Sequence, residues 1–510
     1  MLRFLVRRSL TGLAVLLVAS FLYYVAIAAV IDPLEDLRFT TDPNQEQLIA
    51  ERVALLDLDT PSQIRYLSWL GAFVTGDLGS SFRTGQAVTT ILQGAVVSTV
   101  QLLTVATVVA ILLGVSIGIA SALRQYTAFD YSITFSAFLF FSLPIFWVAV
   151  LLKQWGAIGF NNFLGDPFFG LVVLALAGLA AGTFWMLAVG GSPPRRLAVF
   201  VAGAASAVGV LLLLQLTGWW STPHINPSLL APLGVLTAVV ITALSTGLGH
   251  RRALGASLTV VALGVLAWVL LTPFQLWNPV TAVMSYPLLV GLGALSAVVG
   301  AGVGYAWGGP DKGQAARTAA IVAVFMALYL GLDRMMQAWP AYSEALNGRP
   351  IATIGDATPG LGGNFWIGAI DAYTHLVLPT IVLLLISFAS YTRYSRGSML
   401  ETLNQDYMRT ARAKGLNERT VVMRHGFRNT LIPLATIVPV DIITLLGGAL
   451  ITERIFNRPG MGTVFLRGLD EGDIDPIMAY LIIVGALAII ANIAADVIYT
   501  VLDPRIRVDT

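Results

Sequence analysis

Apolar runs, each close to the length that crosses a bilayer, recur along nearly the whole chain and constrain it before anything else does. At 1.5 Å of rise per residue, about 20 apolar residues span the hydrocarbon. Such runs fall at about 9–30, 97–122, 132–155, 169–190, 197–219, 229–248, 253–273, 283–307, 318–338, 374–394, 431–452 and 477–501. Only 11% of the residues are charged, against about a quarter in soluble domains. Lipid offers no hydrogen bonds to a bare backbone, so runs of this length span as helices. The expectation is an all-α integral membrane protein of about twelve spans.

Charge placement sets the topology. Arg3, Arg7 and Arg8 precede the first run, which carries a faint cleavage-like Ala26-Ile27-Ala28. That run exceeds the roughly 7–15 residues of a signal-peptide core, so it reads as an uncleaved span with a cytoplasmic N-terminus. Residues 31–95 are mixed and polar and read as an extracytoplasmic subdomain. Residues 96–166 hold the second and third spans, and Arg124 and Asp130 mark the turn between them. Gly114-x-x-x-Gly118-x-x-x-Ala122 is either a packing stripe or ordinary membrane composition. Residues 167–340 read as six spans in three repeated hairpins. Each has a basic turn (Arg195-Arg196; His250-Arg251-Arg252; Lys312 and Arg317) and ends near tryptophan (Trp219-Trp220; Trp277; Trp339). Asp333-Arg334 lies near the end of the last inserted span and reads as interfacial. Residues 341–510 complete the chain. With both termini cytoplasmic, about two thirds of the Lys and Arg fall inside, Arg505 and Arg507 included, the sign the positive-inside bias requires.

Between two late spans lies a basic island, Asp406 to Pro433, with Arg409, Arg412, Lys414, Arg419, Arg424 and Arg428; Arg393 and Arg396 stand just upstream. Asp406–Lys414 has good helix formers and no breaker. Gly415 is placed to end that helix in a left-handed residue. Asn417 is placed to cap a second short helix through Arg428. Pro433 opens the next apolar run. The pattern is helix, tight turn, helix, at the membrane surface; charge alone also fits a loop that only fixes topology.

Tyr407, Thr410, Ala411, Ala413, Gly415 and Leu431-Ile432-Pro433 in this island resemble the cytoplasmic coupling loop of bacterial ABC importer permeases. The wording Asp-Tyr-x-Arg-Thr-Ala-Arg-Ala-Lys-Gly-Leu is most similar to the dipeptide/oligopeptide permeases. Gly76-Asp77-Leu78-Gly79, Ser142-Leu143-Pro144, the 453–462 stretch and the terminal Asp503-Pro504-Arg505 resemble them too. The resemblance covers roughly residues 1–165 and 365–510 and implies a six-span core, with about six inserted spans outside the family pattern. It implies a coupling loop at 397–430, carried by Asp406, Tyr407, Arg409, Thr410, Ala411, Arg412, Ala413, Lys414 and Gly415. Ala411 and Ala413 would seat in a partner's groove, and the arginines would meet acidic rims there. The implied partners are a second, homologous permease subunit, two ATPase subunits that hold ATP and Mg, and an extracytoplasmic peptide-binding protein. The implied location is the bacterial inner membrane, in contact with lipid, and the implied cargo is di- or oligopeptide, with nickel or glutathione open.

The remaining chemistry is sparse. There is no cysteine, which excludes disulfides and thiolate sites, and a net charge of +2 does not suggest nucleic acid. No P-loop, serine elbow or metal-ligand spacing occurs, so no enzyme, cofactor or metal is expected in this chain. His375 reads as an interfacial histidine. Carboxylates inside spans are costly and are functional or paired. Asp441, with Thr444 one turn on, either lines a polar path or makes a structural hydrogen bond; Asp496 reads as structural. Pro144, with Phe146 beside it, bends the third span, either as a pore-lining bend on a translocation path or as a plain structural kink. The competing reading is an ion-driven secondary transporter of about twelve spans; another is a membrane scaffold.

Overall fold

A computed structural model describes residues 2–272 and 283–502. The expected features at Trp277, Asp503-Pro504-Arg505 and Arg507 lie outside the described residues. Among those described, every extended element is a helix, and the one β pairing is an isolated bridge between Ser80 and Ala87. Eleven described helices are long and apolar enough to cross a membrane, or twelve if a sharply bent pair is one span. Each lies on one of the predicted runs. The chain is an all-α membrane protein.

Six spans form one body: α1 (Leu2–Val30), α2 (Val88–Leu123), the bent pair α3 (Ala128–Ser142) and α4 (Ile145–Gly165), then, after the insertion, α11 (Phe365–Leu403), α13 (Phe427–Ile455) and α15 (Ile474–Leu502). The seam between α2 and α11 is built on missing side chains. A Cβ on Gly114 would come within 2.7 Å of Tyr391 Cβ, and one on Gly118 would overlap Ser395 and the Thr392 carbonyl. The stripe is therefore a packing seam, as small residues let backbones approach. Leu102, Leu383, Leu445 and Leu446 fill the core beside it. At the N-terminal and C-terminal ends of the chain, Arg8 pairs with Asp496 at 3.2 Å, tying α1 to α15.

The subdomain between α1 and α2 is shorter than expected. Helix α2 begins at Val88 and runs 36 residues, about 54 Å at 1.5 Å per residue, so its first turns stand clear of a bilayer core of about 30 Å. Residues 88–95 belong to that helix. The Gly76–Gln86 stretch is a clasp: Arg83 donates to the Glu471 carbonyl at 3.0 and 2.9 Å and to Asp36 at 2.6 Å, and Arg52 holds the other Asp36 oxygen at 2.6 Å.

The inserted hairpins do not repeat in space. The first, α5 (Leu171–Val189) with α6 (Pro193–Leu216), stands apart. It is fastened to the core where Arg124 donates to the Ala188 carbonyl and where Trp220 meets Phe160 and Phe163. The others, α7 (Pro227–Ser245), α8 (Arg251–Leu271), α9 (Tyr286–Trp307) and α10 (Lys312–Gln337), merge into one four-helix bundle around Leu230, Val260, Val322 and Met326. Small residues decide this. Gly234 and Gly264 sit against Met326, and Gly300 against Ala323 and the backbone of α10. Asp333 is buried within this bundle: it is 1% exposed and accepts from Ile225 N at 2.6 Å, Trp268 Nε1 at 2.9 Å and Gln337 Nε2 at 2.7 Å. Three donors on one carboxylate satisfy its burial.

Candidate functional site

The basic island folds as an elbow. Helix α12 (Asp406–Ala413) ends as its sequence requires: Gly415 takes φ +76°, a left-handed conformation that a side chain disfavours. Asn417 then caps the next segment, its side chain accepting from Thr420 N at 2.8 Å. That next segment is not a separate short helix. From Glu418 a helical turn passes through a π-helical stretch, Val421–Gly426, directly into α13. Pro433 and Pro439 lie inside α13 rather than before it. A single continuous rod therefore joins the elbow to the far side of the span.

One face of α12 is closed. Met408 and Ala411, three residues apart and so on one side of the helix, are buried against Val421 and Leu403. Ala411 thus faces its own chain and is not offered to a partner, contrary to the expectation, whereas Ala413 is exposed. Asp406, Tyr407, Arg409, Thr410, Arg412, Lys414 and Gly415 are exposed with it. Arg409 lies 3.7 Å from Asp406, and Thr410 Oγ1 donates to the Asp406 carbonyl at 2.9 Å. Arg412 is engaged across the turn: its Nε and Nη2 donate to the two Glu418 oxygens at 3.1 and 2.9 Å. That guanidinium holds the Glu418 carboxyl below its ordinary range.

The elbow is braced from above. Met399 on α11 packs against Ala122 and Val422, and a Cβ on Gly426 would meet the ends of Met399 and Met408 at 3.2 and 3.3 Å. Higher up, Arg396 grips Asp130 with two bonds of 2.6 and 2.8 Å, and Ser121 Oγ and Tyr126 N donate to the same carboxylate at 2.5 and 3.1 Å. Asp130 is 1% exposed. This cluster locks α2, α3 and α11 together just before the elbow.

The residues read as path-lining come partly together. The third span breaks at Leu143-Pro144, where α3 and α4 meet at 101°; proline at that point denies the helix a donor. Ile145, beside the break, packs on Gly448 of α13, where a Cβ would meet its Cδ1 at 2.9 Å. Thr444 lies one turn from Gly448 and is exposed, as are Pro144 and Phe146. Asp441 is half-buried and accepts from Ser387 Oγ at 2.9 Å, so at least one of its oxygens serves the α11–α13 contact. His375 is buried, its Nδ1 2.8 Å from the Asp371 carbonyl. Among the described residues no cluster of His, Asp or Glu could hold a metal ion.

At the opposite end, Glu453 is buried at the start of α14 (Met461–Glu471). It accepts from Thr99 Oγ1 at 2.5 Å and from the amides of Gly462 and Thr463 at 2.8 and 3.3 Å. A carboxylate at a helix N-terminus satisfies orphan donors there. A Cβ on Gly460 would overlap that carboxylate, and one on Gly462 would meet Leu450 Cα at 2.5 Å, which accounts for both glycines of the 453–462 stretch.

Residues 321–508 match the family described as binding-protein-dependent transport system inner membrane component. Over those residues the chain is similar to that family. The match takes in most of α10 and everything from α11 onward. The chain is 42% identical over 154 residues to the oligopeptide transport system permease protein OppB of Mycobacterium tuberculosis, covering 30% of this chain and 47% of that one. It is 42% identical over 148 residues to the dipeptide transport system permease protein DppB of Escherichia coli, covering 29% and 42%. To AppB of Bacillus subtilis, an oligopeptide transport system permease protein, it is 24% identical over 506 residues, 99% of each. The chain thus spans about half the length of the curated relatives it matches at 42%.

The clusters at Asp130 and Glu453 were missed by sequence reasoning. Each mixes near partners with one that lies hundreds of residues away, Arg396 for Asp130 and Thr99 for Glu453, and no local spacing marks that distant partner. The inward turn of Ala411 did carry a signal: Met408 and Ala411 form an apolar i, i+3 pair on an otherwise polar helix.

Proposed function

We propose that this chain is a permease subunit of an ATP-driven importer of di- or oligopeptides. It forms half of the translocation path, and a homologous second permease forms the other half. Two ATPase subunits, holding ATP and Mg, dock at the elbow, and an extracytoplasmic binding protein delivers cargo at the opposite face. The termini and the elbow are cytoplasmic, and this chain itself catalyses nothing. The observation that carries the reading is the continuity of α12, its buried Met408–Val421 contact and the rod from Glu418 to Ile455. A push on the exposed face of α12 moves that rod, and with it Thr444 and the Pro144 break, because the contact between them is dry and packed. The π-helical stretch and the two prolines are where such a rod bends. Asp441 and Thr444 line the path on this reading, with Pro144 and Phe146 opposite.

The exposed residues of α12, and not Ala411, meet the ATPase. Tyr407→Ala with Arg409→Glu, in the reconstituted complex, is expected to leave assembly intact while ATP hydrolysis continues and peptide uptake falls about tenfold or more. Wild-type uptake per ATP in that variant would refute the role assigned to α12.

A further inference from the structure

The inserted bundle meets the core at a cavity of about 890 Å³, within the size range of small-molecule sites. It lies between α8, α9, α10 and the first half of α11, and its lining is overwhelmingly apolar. Its depth follows from the helices. Tyr286, at the start of α9, lines one end and Gly300 the other, a separation of 14 residues or about 21 Å along the axis. That is about the depth of one leaflet with its headgroup layer, half of a bilayer some 40–45 Å thick. Arg334, at the Tyr286 end, stands 22 residues along α10 from Lys312, about 33 Å from the basic turn.

The polar groups gather at that same end. Arg334 lines the cavity there and donates to Gln337 at 2.8 Å. Trp366, in the first turn of α11 and 6% exposed, lines it too, and its indole N–H is buried with no acceptor among the described residues. A buried donor left unmet is costly, and an acceptor oxygen arriving there would relieve it. Below these donors, Leu295, Val299 and Leu328 line the cavity and are themselves exposed on the outside of the bundle, so it opens sideways to the surroundings. In a bilayer those surroundings are acyl chains.

We propose that this cavity holds one phospholipid of the leaflet remote from the basic turns, its acyl chain along α9 and α10 and its phosphate and ester oxygens at Arg334 and Trp366. One end supplies a cation and a free N–H, the other about a leaflet's depth of apolar wall, and that division matches a phospholipid. The lipid seals the joint between insertion and core.

Two glycines allow a test without disturbing the fold. Gly293 and Gly331 both line the cavity, and a Cβ on either meets nothing within 4 Å. The full chain would be placed in nanodiscs of phosphatidylethanolamine and phosphatidylglycerol carrying a photoreactive group on one acyl chain. Labelling is expected to concentrate on Ser296–Gly300 and Ala323–Leu330. Gly293→Phe with Gly331→Phe should lower it about tenfold, the equivalent of losing a few buried methylenes, while labelling of α1 stays constant. Arg334→Gln should weaken retention of the lipid through detergent extraction. Uniform labelling of all lipid-facing helices, unchanged in the double variant, would overturn the proposal. So would a cavity left unlabelled in the parent chain, as expected if a protein segment fills it.

Discussion

In the core, polar side chains reach across hundreds of residues: Arg396 to Asp130, 266 apart, and Thr99 to Glu453, 354 apart. In the insertion, the polar hub Asp333 binds, among the described residues, Ile225, Trp268 and Gln337 of its own bundle. Both regions are made of apolar helices, and lipid removes most of the hydrophobic reward for bringing such helices together. What differs is how order is imposed. The core is pinned by long-range buried pairs, one beside the elbow and one at the opposite end of α13. The insertion is a locally closed bundle and a lone hairpin, touching the core at few points. Core lesions should therefore spread to coupling, and lesions in the insertion should stay where they are made.

The sharpest way to break that contrast is at Asp130. Arg396→Ala leaves a buried carboxylate unpaired, expected to cost about 3–5 kcal/mol. Thermal unfolding and assembly should both collapse, and Arg396→Met with Asp130→Leu should recover much of the loss. Next comes Asp333→Leu, which strands the Ile225 amide and the Trp268 indole at about 1–3 kcal/mol for each buried group. Protease cleavage within 225–337 should rise while uptake by the assembled complex holds; an equal loss of uptake would show that the two regions are one mechanical unit. Met408→Ala is expected to loosen α12 by about 2 kcal/mol or somewhat more, read as faster hydrogen exchange across 406–413 and fewer peptides moved per ATP.

The smallest effect is at the turn. Because Arg412 lowers the Glu418 pKa, the bond's contribution is complete above the unfolded glutamate value of about 4.3. It is lost as pH falls through the lower folded value. For so exposed a pair the contribution is a few tenths of a kcal/mol. Exchange at 415–420 should accelerate in acid in the parent chain and show no such step in Glu418→Gln.

Much of this was legible because it is local. Span positions follow from apolar length, the Gly415 turn from backbone sterics, and the Asn417 cap from a side chain three residues from its donor. The bend at Pro144 is local as well. The illegible parts are those that only tertiary contact decides. Little near Asp333 marks it as buried, since two of its three donors, the Ile225 amide ahead of α7 and the Trp268 indole on α8, come from elsewhere in the chain. Nothing in the three basic turns shows that two hairpins fuse and one stands off. Continuity through Pro433 could not be read from a residue that usually ends helices; α13 tolerates it because Pro433 and Pro439 lie a turn and a half apart on a helix held by packing on both sides. The elbow is marked by its wording, whereas its orientation depends on Val421.

The chain contains no cysteine, so a single Arg409→Cys gives one clean reporter on the exposed face of α12. In the reconstituted transporter, a spin label at that position should be shielded when the ATPase subunits are present. The distance between the label and a matching one on the second permease should shorten when ATP analogue closes those subunits. A label that stays open to a water-soluble thiol reagent, and whose distance does not change with nucleotide, would contradict the claim that α12 passes on the work.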